Sequence, residues 1–95
     1  MNEFTVQTTP RFDRLLKKLS RGHSDLPSQF AEALTVLKSD PYNRTRLHRI
    51  KKLQDVPLED GVYRLRLGRW RFRYNIWGQK VELTYCGLRR EDTYS

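Results

Sequence analysis

Ninety-five residues suffice for one small domain and are too few for two. Folding at this length buries about 60 to 65% of the surface that the unfolded chain exposes, which excludes a chamber between domains and favours a shallow site on an open face. Nineteen Lys and Arg, thirteen of them arginine, stand against eleven Asp and Glu, and a formal net charge of +8 calls for a polyanionic partner.

The 12% aromatic content and regular apolar spacing exclude disorder as the main state, because they offer enough surface to offset chain entropy. Cys86 is the single cysteine, so no internal disulfide forms, and no Cys or His cluster has zinc-ligand spacing. No metal or other cofactor is expected. The segment MNEFTVQTTP has no apolar run, and no later stretch approaches the roughly 20 residues that span a bilayer. A cytoplasmic protein with no membrane partner is expected.

Phe4 and Val6 alternate with Glu3, Thr5 and Gln7, the period of a half-buried strand. Thr9 before Pro10 reads as a helix N-cap with proline in the first turn, and Phe12, Leu15, Leu16 and Leu19 form one apolar stripe, which predicts a helix from about 10 to 20. Gly22 to Asp25 break the pattern. Pro27 opens a second helix with Phe30, Ala33, Leu34 and Leu37 on one face, stopped by Asp40 and Pro41. Residues 42 to 60 are compatible with either a helical turn or a strand-like connector through Leu47, Ile50 and Leu53.

The second half alternates with period two. Tyr63, Leu65 and Leu67 oppose Val62, Arg64 and Arg66, and Gly68-Arg69 is a hairpin turn of the Gly-X kind. Trp70, Phe72, Tyr74 and Ile76 then oppose Arg71, Arg73 and Asn75, and a third strand sends Val81, Leu83 and Tyr85 to the core, with Cys86 facing the arginine side. The expected architecture is α+β in one domain spanning residues 1–95. It is a small antiparallel sheet, an N-terminal strand plus a three-stranded C-terminal meander, with two antiparallel helices packed on one face.

Charge concentrates on that sheet. Residues 42 to 81 hold eleven basic against three acidic side chains, an excess equal to the whole net charge. The alternation puts Arg64, Arg66, Arg71 and Arg73 on one face of one hairpin, where like charges repel unless an anion binds. Arginine suits that task, because its planar fork grips phosphate oxygens two at a time. The basic stripe of the first helix, Arg11, Arg14, Lys17, Lys18 and Arg21, reads as a solvated face, and His48 as a surface histidine.

The hairpin YRLRLGRWRFRYNI and the closing GLRREDTY, set behind a strand, a helix pair and a basic connector, resemble the RelE/ParE superfamily of toxins from type II toxin-antitoxin modules. The resemblance covers nearly the whole chain and is nearest to the RelE-like branch. It implies a ribosome-dependent endoribonuclease that cuts messenger RNA through the RNA 2′-OH without a metal, restrained by a cognate antitoxin bearing an amphipathic, acidic segment. Arg64, Arg66, Arg71, Arg89 or its neighbour Arg90, and Tyr94 match the family's catalytic positions. The assigned RNA contacts are Lys51, Lys52, Arg73 and Arg90. Arg71 and Arg89 would clamp the phosphoryl oxygens, Arg64 and Arg66 would position the backbone, and Tyr94 would act as general base or stack on a base. Arginine at 64 and 66, where some relatives carry lysine, removes the usual basic amine from those positions. Two other readings fit the same scaffold: a ParE-like gyrase inhibitor without nuclease residues, and a basic nucleic-acid-binding module without chemistry.

Overall fold

In a computed structural model, which describes residues 3–89, the helix starts come directly from local chemistry. The Thr9 hydroxyl accepts a hydrogen bond from the Phe12 N–H (3.1 Å) and Pro10 sits in the first turn, so α1 (Pro10–Gly22) begins where the capping signal predicts. His23 ends it by donating from Nδ1 to the Leu19 carbonyl (3.0 Å). α2 (Leu26–Ser39) starts differently. Asp25 stands before it with no capping bond, and its carboxylate instead accepts Nε and Nη2 of Arg69 (3.2 and 2.9 Å) and Nε1 of Trp70 (2.9 Å). The helix loop is thereby clamped to the far hairpin turn.

That clamp has a pH signature. The hydrogen bonds from Arg69 and then Trp70 hold the Asp25 carboxyl far below the usual carboxylate range. A lowered folded-state value stabilises fully where the unfolded carboxyl is ionised and is lost as pH falls below about 4. Asp25→Asn keeps an acceptor for Trp70 and loses the charge, so it should lower the melting temperature at neutral pH, with the deficit shrinking toward about pH 2. A deficit unchanged across that range would mean that the charge contributes nothing.

Among the described residues, five strands form one sheet in the order β1-β5-β4-β3-β2. They are β1 (Thr5–Thr8), β2 (Arg49–Lys52), β3 (Tyr63–Leu67), β4 (Trp70–Trp77) and β5 (Lys80–Leu88). Both helices cover one face. Phe12, Leu26 and Leu37 from the helices meet Leu65, Trp70, Phe72, Tyr74, Val81 and Leu83 from the sheet, all fully buried. Each such side chain contributes about 1.5 to 3 kcal/mol by leaving water. The Tyr74 hydroxyl donates to the Pro41 carbonyl (2.7 Å), which pins the start of the connector against the core. Among the described residues, no helix is long and apolar enough to cross a membrane.

The α+β architecture agrees with the sequence reading, and two details of the sheet correct it. First, β1 pairs with β5 in parallel, Thr5 opposite Lys80 and Thr8 opposite Leu83. β1 runs on into α1 without reversing, and α2 returns the chain to the starting end of β1, where Lys38 O accepts the Phe4 N–H (2.8 Å). The first and third strands of the β3-β4-β5 meander therefore run in the direction of β1. Second, the connector contributes a strand. Asp40 accepts the backbone N–H groups of Arg44 (2.7 Å) and Thr45 (3.2 Å) and the Thr45 hydroxyl (2.6 Å), while Asn43 exchanges hydrogen bonds with the His48 backbone. Such side-chain bonds stabilise a turn in preference to a helix, and the left-handed φ of Asn43 (58°) and Arg46 (61°) excludes one. Burial pushes the Asp40 carboxyl up, but its hydrogen bonds and nearby His48 prevail and hold it below the ordinary value. The chain then enters β2, which pairs antiparallel with β3.

The largest departure lies in β5. Tyr74 pairs with Leu83, yet Arg73 pairs with Tyr85, so Thr84 is an extra residue in the ladder. Its hydroxyl donates to the Arg73 carbonyl (3.3 Å). Simple alternation placed Tyr85 in the core and Cys86 on the arginine side, and the bulge reverses both. Cys86 is fully buried opposite Phe72, and burial pushes its thiol up to about 12, which leaves it inert. Tyr85 lies on the helix-free face.

Candidate nucleic-acid interface

Strand pairing lays the basic side chains of the helix-free face out in rows. Arg49, Arg66 and Arg71 stand opposite one another across β2, β3 and β4, and the row ends at Gly87 on β5. The next row is Lys51, Arg64, Arg73 and Tyr85. Neighbouring strands are about 4.8 Å apart, so each row brings cations side by side. Arg89 follows directly after β5, its backbone N–H donating to the Arg69 carbonyl (2.7 Å). The clamp between Asp25 and Arg69 thus also fixes the backbone that carries Arg89.

Arg66 sits at the centre of the cluster. Its guanidinium is held below its ordinary value by burial first, and then by the charges of Arg89, Arg49, Arg71 and Arg64. Its Nε is buried without a hydrogen-bond partner. All of these interactions oppose the folded state when no anion is present. Arg66→Gln should therefore raise the melting temperature, which thermal unfolding of the two proteins checks. A variant that melts lower than wild type would instead mark Arg66 as a structural support.

The structure sorts the sequence-derived residues. Arg64, Arg66, Arg71 and Arg89 converge on this face, and Lys51 joins them opposite Arg64. Lys52, one residue further, points to the other side, its Nζ 5.8 Å from the Tyr63 ring centroid, so the alternation within β2 separates it from the cluster. Arg73 lies on the helix-free face but is turned to another task. It is 9% exposed, and its Nε and Nη2 donate to the Gly61 carbonyl (3.2 and 2.9 Å). Arg90 and Tyr94 lie outside the described residues. Among the described residues, no three His, Cys, Asp or Glu side chains gather into a metal-binding group.

Arg73 helps to hold a strap across the face. Asn75 donates from Nδ2 to the Leu58 carbonyl (2.7 Å) and accepts the Val62 N–H (3.0 Å), drawing the 3₁₀ turn Leu58–Asp60 over β4. Asp60 then reaches Arg11 at the start of α1 (3.0 Å). The strap closes one end of the arginine cluster and leaves the end near the β3–β4 turn unstrapped.

Two residues of the face escaped the sequence reading. Arg49 was hidden in a connector whose strand character appears only through its pairing with β3, although the alternation of Arg49, Ile50 and Lys51 was a faint signal. Tyr85 was hidden by the bulge. No family model matches the chain, and no curated protein or solved structure matches it significantly.

Proposed function

We propose that this chain is a messenger RNA endonuclease acting on the ribosome, the toxin member of a toxin-antitoxin pair. The observation that carries the reading is the arginine row Arg49-Arg66-Arg71 with Arg64 and Arg89 beside it. Four cation pairs, Arg49/Arg66, Arg66/Arg71, Lys51/Arg64 and Arg64/Arg73, stand directly opposite one another and repel, and a bound polyanion relieves that repulsion. RNA is the polyanion that brings its own nucleophile, the 2′-OH.

In this reading Arg71 and Arg89 hold the phosphoryl oxygens as negative charge builds on them, while Arg64 and Arg66 fix the flanking backbone. Either Tyr94, as the phenolate, takes the 2′-OH proton, or it stacks on a base and water takes that proton; the 2′ oxygen then bonds to phosphorus and displaces the 5′ oxygen, which leaves with a proton from water or an arginine. Arginine is too weak an acid-base group to replace it, so rate must come mainly from alignment of the substrate, which the ribosome supplies. The same basic face suits an antitoxin with an acidic, amphipathic segment.

The test is to induce the chain in cells and map messenger RNA 5′ ends. Cuts at fixed positions within codons, absent in Arg71→Ala and Tyr94→Phe, are the expected result. Intact messages with broken chromosomal DNA would point to gyrase, and intact messages with intact DNA to a binding module without chemistry. Binding to RNA should also weaken steeply with salt, at about 0.7 log unit per log unit of salt for each phosphate contacted.

A further inference from the structure

Tyr85 owes its position to the bulge at Thr84, which turns it out of the core and onto the face that carries the arginines. Its ring lies along β5 over Gly87. A Cβ at position 87 would come within 2.9 Å of Tyr85 Cζ and 3.1 Å of Cε2, so glycine there is the seat of the phenol. Gly87 is the residue opposite Arg71, which places the hydroxyl end of the ring at the arginine row. Above the ring is Arg11, its guanidinium carbon 5.5 Å from the centroid and its other contact the half-exposed pair with Asp60.

Resting on the purine- and pyrimidine-bearing substrate proposed above, we propose that Tyr85 is the platform on which one RNA base stacks while its phosphate lies in the Arg66-Arg71 row, with Arg11 moving to cap the base from above. Three features support this role. The ring lies on the sheet surface, where aromatic side chains receive unstacked bases. Its backing is a residue without a side chain, so it is braced from beneath. The cation over it, Arg11, has a side chain 47% accessible, and it yields to a base and then stacks on its other side.

The experiment uses the whole chain and a single-stranded ten-nucleotide RNA, with a series of oligonucleotides each lacking one base. Tyr85→Phe should bind like wild type, and Tyr85→Ala should bind about 5- to 100-fold more weakly. The decisive result is coupling: one abasic position should weaken wild type by the same factor and leave Tyr85→Ala unchanged, which a merely structural tyrosine would not produce. Tyr85→Leu, which keeps an apolar cover over Gly87, serves if the alanine variant does not fold. Equal losses for wild type and variant at every abasic position would overturn the platform, as would failure of wild type to bind the RNA. Cleavage on programmed ribosomes is measured separately. Coupling without cleavage removes the nuclease reading and keeps the platform, whereas cleavage without coupling does the reverse.

Discussion

Arg71→Ala should lower the rate of message cleavage on the ribosome by about 100- to 1,000-fold, the loss typical when one preorganised group that stabilises developing negative charge is removed. Arg71 stands between Arg66 on β3 and Gly87 on β5, and it is only 9% exposed. Water screens a guanidinium so placed very little, and its effect on a phosphoryl oxygen is correspondingly large. Arg71→Lys keeps the charge and loses the planar fork, so it should recover part of the rate, about tenfold over alanine. Single-turnover cleavage of a ribosome-bound message gives both numbers. If Arg71→Ala cuts within about threefold of wild type, the row binds RNA without taking part in the reaction.

The largest effect on stability is expected at Gly61. Its backbone has φ 86° and ψ 123°, a region that side chains avoid, and it packs directly on the sheet. A Cβ there would lie 2.7 Å from the Tyr74 backbone nitrogen, which cannot retreat without disturbing the β4–β5 ladder, and 2.6 Å from Thr84 Oγ1, which turns away only by giving up its hydrogen bond to the Arg73 carbonyl. Backbone strain and overpacking together put the cost of Gly61→Ala at about 3 to 5 kcal/mol. For a domain of this size that is a fall in melting temperature of about 15 to 30 °C. Urea or thermal unfolding checks it, and a loss below about 1 kcal/mol would show that the strap is seated loosely. The same variant should release Arg73, whose guanidinium is held by the Gly61 carbonyl.

These two residues illustrate what could and could not be read from the sequence. Arg71 was visible because alternation is a local property: from Tyr63 to Ile76 the pattern matches the observed faces, and the Gly68 turn has the left-handed φ (59°) that a Gly-X hairpin needs. The Thr9-Pro10 helix start was equally local. Gly61 and Arg73 were invisible, because their partnership joins a connector to a strand twelve residues away through a backbone carbonyl. The role of Asp25 is equally non-local. It stands where a cap belongs, yet the distant Arg69 and Trp70 claim its carboxylate. β2 escaped because four residues with one apolar member, Arg49 to Lys52, carry too little periodicity to reveal an edge strand. β5 escaped in its second half because nothing in Leu83-Thr84-Tyr85 marks an inserted residue.

That inserted residue sets the phase of Tyr85 to Arg89. With Thr84 in the ladder, Tyr85 and Gly87 look away from the helices, and Arg89 follows them to the side that carries Arg66. Deleting Thr84 would shift the frame by one, swing the phenol inward, expose the thiol of Cys86 and carry the guanidinium of residue 89 to the opposite side from Arg66. A single codon in the last strand therefore governs whether the two ends of this charged surface ever meet.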